Sequence, residues 1–297
     1  MKKFDLTSPE SITIRPAEGW ADVGDLRVRY LDWGGDGPPV IALHGLASSG
    51  HWYDLVASLL SNGYRVIAPD QRGHGKTTQA SRGYDWPTLA SDVAGLMNTL
   101  ALDRAVVMGH SWGGHTAISL AANHPERVGG LVMIDGGFLD PHLSPGTTWE
   151  SFSHRVRPRN ISGTRREFLN RLRSQLAGCW NDEVERIVQT MVYEDGDGQI
   201  RDILHPDHHA QVIRAMWDYP PSTIMPKVSC PTLIVPAGPT PDRAGSGYAR
   251  MRQVMVAAAA AAMPGCRVHW ILNTIHDIGY DKPRELAGVI REFLAEG

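Results

Sequence analysis

Apolar residues in this chain fall into short unbroken runs separated by turn-forming clusters. P-V-I-A-L-H-G (39–45), Y-R-V-I-A-P-D (64–70), R-A-V-V-M-G (104–109) and V-G-G-L-V-M-I-D (128–135) are such runs, and P-T-L-I-V-P-A-G (231–238) and C-R-V-H-W-I-L (266–272) repeat the pattern late in the chain. Runs of this length predict strands buried on both faces, as in a parallel sheet. D-L-R-V-R-Y-L-D-W (25–33) alternates apolar and polar positions instead, which predicts a half-buried strand ahead of the turn G-G-D-G-P-P. Helices are predicted between the runs: over 51–61, over 87–100 with Pro87 in the first turn, from Ser111 to about His124, and from Pro283 to about Leu294.

Strand and helix alternate except between about 139 and 226, a stretch rich in Arg, His and Trp whose segments F-L-N-R-L-R-S-Q-L-A-G-C-W and N-D-E-V-E-R-I-V-Q-T-M-V-Y read as helices. The pattern predicts an α/β fold: a doubly wound, mostly parallel sheet made by residues 1–138 and 226–297, with a helical cap, residues 139–225, inserted after the sixth strand. A chain of 297 residues suits one such domain plus an insertion. There is no internal repeat, and the alanine run 257–262 reads as part of a helix.

Charge narrows the partners. A net charge of −3 without a basic stripe speaks against nucleic acid and anionic membrane surfaces. No run of 18 apolar residues is present to span a bilayer, and the start, M-K-K-F-D-L-T-S-P-E-S-I-T-I-R-P-A-E-G, has no apolar core of a signal peptide. Cys179, Cys230 and Cys266 are widely spaced, so buried thiols in a reducing, cytoplasmic setting are expected. The sequence leaves the oligomeric state open.

Candidate chemistry begins at G-H-S-W-G (109–113), with a predicted strand before it and a helix after it. That is the context of the G-x-S-x-G elbow, whose serine sits in a strained turn that only small neighbours let close. L-H-G-L (43–46) ends an earlier strand, D-Q-R-G-H-G (70–75) follows the next one, and T-I-H-D-I-G-Y-D-K-P-R-E-L (274–286) follows the last. With these motifs the chain resembles the α/β-hydrolase fold superfamily over most of 26–138 and 226–297. The resemblance implies Ser111 as nucleophile, His276 as general base, and the backbone N–H groups of Leu46 and Trp112 as an oxyanion hole. The D-Q-R-G-H-G loop reads as a structural turn braced by Arg72.

The resemblance allows two positions for the acid that orients the histidine. After the seventh strand its usual pattern is off by one, A-G-P-T-P-D-R placing Asp242 between prolines and a glycine-rich stretch. The end of the sixth strand, used by some haloalkane dehalogenase-like members, offers Asp135 in M-I-D-G-G. Asp135 is preferred because a strand end holds a carboxylate more rigidly, and Asp242 is the alternative. Dehalogenases and epoxide hydrolases of this fold use an aspartate nucleophile where this chain has Ser111. H-P-D-H-H (205–209) brings no partner carboxylate motif, so neither metal nor cofactor is expected. The expected activity is serine hydrolysis of a small-molecule carboxylic ester or lactone. The alternatives are C–C bond hydrolysis of a β-diketone-type substrate and a non-enzymatic ligand sensor. Trp180, Met191, Tyr193, Met216, Trp217 and Tyr219 of the cap are candidates to line an acyl pocket, or to form the cap's own core.

Overall fold

A computed structural model describes residues 14–159 and 161–296, so most of the N-terminal stretch read above as lacking a leader lies outside the described residues. Ten strands occur among the described residues: β1 (Ala17–Val23), β2 (Leu26–Asp32), β3 (Pro39–Leu43), β4 (Arg65–Pro69), β5 (Ala105–His110), β6 (Val128–Ile134), β7 (Val192–Glu194), β8 (Ile200–Asp202), β9 (Thr232–Val235) and β10 (Arg267–Val268). The helices are α1 (Asp54–Leu60), α2 (Trp86–Thr99), α3 (Trp112–Asn123), α4 (Trp149–Arg155), α5 (Arg165–Gln175), α6 (Asp182–Gln189), α7 (Pro206–Asp218), α8 (Gly247–Ala262), α9 (Ile278–Asp281) and α10 (Pro283–Glu296). Eight strands form one sheet in the order β1-β2-β4-β3-β5-β6-β9-β10. The contacts of β2 with β1 and β4 are antiparallel and the rest are parallel.

The apolar runs have no polar face because both faces of the sheet are covered. Val40 and Ala42 of β3, Val132 and Ile134 of β6 and Leu233 and Val235 of β9 pack with α1 and α10 on one side. Ile41, Leu43, Leu131, Met133 and Ile234, the alternate positions, pack with α2, α3 and α8 on the other. This is the period-two alternation of a strand with core on both sides. In register, Leu43 lies beside Gly109 and His110 beside Ile134, so β3, β5 and β6 end at one level. Short connections leaving those carboxyl ends are where a doubly wound sheet gathers its functional groups.

Residues 139–225 sit over that edge. Phe152, Leu204, Val212 and Met216 pack against Tyr84, Trp86 and Trp112, while Phe168, Val184 and Ile187 join the core cluster beside α1. Arg186 of α6 pairs with Asp54 of α1, and Ser49 Oγ meets Thr190 Oγ1 at 2.7 Å. The segment is not purely helical: the end of the predicted helix N-D-E-V-E-R-I-V-Q-T-M-V-Y turns into β7, which pairs antiparallel with β8. Turn chemistry prevails over helical periodicity there. Asp195 Oδ1 accepts the N–H groups of Asp197 and Gln199, and Gly198 adopts φ +73°.

The edge strand predicted over 266–272 is ordered as a ladder only at Arg267–Val268, with one isolated bridge from Ile271 to Ala237. Pro236 has no N–H to give in that gap. Of the three cysteines, Cys230 alone is buried; Cys179 and Cys266 are partly exposed, so the expectation of three buried thiols fails for them. Among the described residues, no helix is long and apolar enough to cross a membrane.

Candidate functional site

Ser111 links β5 to α3 with φ 53° and ψ −119°, a strained conformation for a residue with a Cβ. The neighbouring glycines explain how it persists. A Cβ on Gly109 would overlap Gly113 O, one on Gly113 would overlap the carbonyl oxygens of Leu43 and His44, and one on Gly136 would overlap the backbone of Ser111 itself. Bulk is excluded from the elbow on three sides. The Ser111 carbonyl accepts the N–H groups of Gly114 and Gly137, both at 3.1 Å.

Ser111 Oγ lies 2.9 Å from His276 Nε2, and His276 Nδ1 lies 2.6 Å from Asp135 Oδ2. An ionised carboxylate only accepts, so Nδ1 carries the ring proton and Nε2 is left to accept from the serine. The loop carrying His276 is anchored from below: its carbonyl accepts from His110 Nε2 at 3.1 Å, and the indole of Trp52, stacked on His110, donates to Asp277 at 2.9 Å. Asp135 adopts φ 42° directly after β6, and its Oδ1 accepts the Ala237 N–H at 2.7 Å. Asp242 is elsewhere. Its side chain is 76% exposed and pairs with Arg243 at 3.9 Å, not with His276.

Asp135 has a further partner that sequence reasoning missed. Arg252 of α8 reaches both of its oxygens, Nη1 at 3.2 Å from Oδ2 and Nη2 closer still to Oδ1. The signal for it was faint: Tyr248, Met251, Arg252 and Met255 recur at helical spacing and line one chamber. Burial by itself would raise the Asp135 pKa, but hydrogen bonding and charge from His276 and Arg252 outweigh it and hold the carboxyl at about 2. Crowding by protein pushes the His276 pKa down, the Asp135 bond and charge push it up, and the net direction is up. Half of the His276 side chain (52%) opens on the cavity, so water screens part of that crowding.

Leu46 and Trp112 line the same chamber as Ser111. The Trp112 N–H is the first of α3 and has no carbonyl four residues back within the helix. The turn bearing Leu46 runs tight against the elbow, because a Cβ on Gly45 would come within 3.2 Å of Ser111 Cβ. Its next residue, Ala47, with φ 53°, is held at both ends: its N–H donates to His74 Nε2 at 3.1 Å and its carbonyl accepts from Arg159 at 2.8 Å. The D-Q-R-G-H-G loop thereby reaches the rim of the site through His74, while Arg72 braces α2 through Asp92.

The chamber holds about 180 Å³ and is walled by Phe138, Leu139, Val156, Met216, Met251 and Met255. An outer groove of about 770 Å³ shares His276, Tyr248 and Arg252 with it. Of the residues within 139–225 named above as candidates to line a pocket, Met216 alone lines the chamber. Met191, Trp180 and Trp217 pack into hydrophobic clusters, and Tyr193 and Tyr219 are exposed. Burial lowers the pKa of His115, also in the chamber wall, to about 4. His205 caps α7 by accepting the Asp207 N–H and His208 stacks on Tyr84. Among the described residues, no group of three or more His, Cys, Asp or Glu converges as metal ligands.

A family profile described as alpha/beta hydrolase fold matches residues 38–189, more than half of the chain. The protein belongs to the α/β-hydrolase fold family. Two curated relatives place it within that family's range. A non-heme chloroperoxidase of Streptomyces lividans is 46% identical over 35% of this chain and 39% of its own length. A 2-(acetamidomethylene)succinate hydrolase of Mesorhizobium japonicum is 28% identical over 71% of this α/β-hydrolase chain and 73% of its own. The crystal structure of an E-2-(acetamidomethylene)succinate hydrolase superposes with a TM-score of 0.77 at 22% identity, covering 94% of this chain and 99% of that one, which shows the common fold.

Proposed function

We propose that this family member is a serine hydrolase that cleaves a small carboxylic ester or lactone through an acyl-enzyme, residues 139–225 serving as a cap over the core. The observation that carries the reading is the unbroken series of hydrogen bonds from Ser111 Oγ through His276 to Asp135. In the proposed cycle His276 Nε2 takes the Ser111 proton as Oγ attacks the carbonyl carbon. The amides of Leu46 and Trp112 hold the developing oxyanion, and Asp135 stabilises the imidazolium. The imidazolium returns its proton to the departing alcohol oxygen. His276 then activates water, which releases the acid and restores Ser111. Every proton is carried by these side chains, so the cycle calls on no metal or cofactor.

The apolar, methionine-walled chamber of about 180 Å³ supports a short acyl group. A panel of aryl esters graded in acyl length, lactones, secondary amides (the relative's name carries an acetamido group) and β-diketones tests the reading, with wild type and Ser111→Ala side by side. Esters or lactones with short acyl groups are expected to turn over, losing at least about 10³-fold in kcat in Ser111→Ala. Turnover of β-diketones alone would make the protein a C–C hydrolase. Binding without turnover of any class would make it a sensor.

A further inference from the structure

The Asp135 carboxylate is shared. Its two oxygens offer about four acceptor positions, and four donors fill them: the Ala237 N–H and Arg252 Nη2 on Oδ1, His276 Nδ1 and Arg252 Nη1 on Oδ2. The guanidinium also packs on two aromatic rings. It lies over the rings of Phe138 and Tyr248, 5.8 Å from each centroid, and its side chain is 13% exposed against 1% for Asp135. A pair this buried is weak evidence of a stabilising purpose, since well-packed apolar side chains often serve a fold equally well. Arg252 Nε is moreover buried without a hydrogen-bond partner, an added cost.

We infer that Arg252 is a positioning residue for the proposed reaction: its fork fixes the Asp135 carboxylate beside His276, and its charge offsets part of that of Asp135. Asp135 is the strongest force for protonating His276, and a cation spanning both its oxygens opposes that force directly. The other groups around the ring are few. Asp277 beside it in the loop favours protonation, Ser111 is neutral, and His110 from β5, its pKa lowered to about 4 mainly by burial, is uncharged near neutral pH. Around Arg252 itself stand Asp135 and Tyr248.

The inference rests on the hydrolase reading, but the titration that decides it needs no substrate. The His276 imidazole is titrated by ¹⁵N NMR in wild type, Arg252→Met, Arg252→Gln and Arg252→Lys, and the acid limb of kcat/KM is recorded for the best substrate. Removing the charge with Met or Gln is expected to raise the His276 pKa by about half a unit or more, moving the acid limb with it. Lys keeps the charge but cannot span both oxygens, so its titration is expected to stay near wild type while kcat falls roughly tenfold. Gln is the milder neutral variant and decides the matter if Met does not fold. An unmoved titration in a folded neutral variant, or a Lys variant displaced as far as the neutral ones, overturns the inference. An unmoved imidazole in an ester-hydrolysing enzyme defeats this inference alone. A shifted imidazole in a protein that turns over nothing in the panel defeats the hydrolase reading alone.

Discussion

Asp135 and Asp242 separate at the level of single residues. Asp135 is buried and reaches His276 Nδ1, whereas Asp242 is 76% exposed. Asp135→Asn is expected to cut kcat by about 10³–10⁴, because the amide cannot hold the productive tautomer. Asp242→Asn is expected to stay within about tenfold of wild type, as a surface change does. Steady-state kinetics of the two variants checks this, and a larger loss in Asp242→Asn than in Asp135→Asn would reverse the assignment. The raised His276 pKa sets a second expectation. A proposed base at His276 works only when neutral, so activity should fall with decreasing pH through a single ionisation lying above the usual imidazole value of about 6.5. A pH profile of kcat/KM that stays flat down to pH 5 would exclude His276 as the base. That Ser111 and His276 would meet was legible in the sequence because motifs flank both. Arg252 was not, because it meets Asp135 only after the α8 face folds back across the sheet edge.

At the scale of elements, the elbow depends on space as much as on the serine. Gly113 sits on α3 where the helix passes over the end of β3, and a methyl group there has backbone oxygens, not yielding side chains, in its way. Gly113→Ala is therefore expected to displace α3 from β3 and cost at least about 10²-fold in kcat, together with a lowered melting temperature. Gly288→Ala on α10, where a Cβ meets nothing within 4 Å, serves as the control and should be neutral or slightly stabilising. Equal behaviour of the two variants, by activity and thermal melting, would contradict the steric account. Parallel strands such as β3 and β6 were readable because burial on both faces leaves a continuous apolar run. β1 escaped notice because A-E-G-W-A-D-V is a mostly exposed antiparallel edge, and the β7–β8 hairpin because a four-residue turn, D-G-D-G, was outweighed by the helical pattern before it.

Across the whole molecule, the number of neutral histidines fixed in the interior is the feature with the widest consequence. His44, His110, His115 and His209 have pKa values lowered to about 4 and His74 to about 3, in each case chiefly by burial. Each takes a proton more readily when unfolded, so its contribution to stability is complete above pH 6.5 and is lost as pH falls towards the folded value. The slope approaches about 1.4 kcal/mol per pH unit for each histidine. His276, raised rather than lowered, opposes this trend as a single group. Denaturant midpoints are expected to hold between pH 7 and 8 and to drop steeply from pH 6 to 4.5; a midpoint constant down to pH 4.5 would contradict the burial of these rings. Two of them, His44 and His74, also tie the turn bearing Leu46 to the loop after β4.

The central claim is that Ser111 is the nucleophile, activated by His276. A fluorophosphonate probe reacts only with an activated serine, and peptide mass spectrometry locates the adduct. The expected result is one adduct, on Ser111, formed rapidly in the wild type, at least about 10³-fold more slowly in His276→Ala, and absent in Ser111→Ala. Labelling of a different serine, or of Ser111 at an undiminished rate without His276, would contradict it.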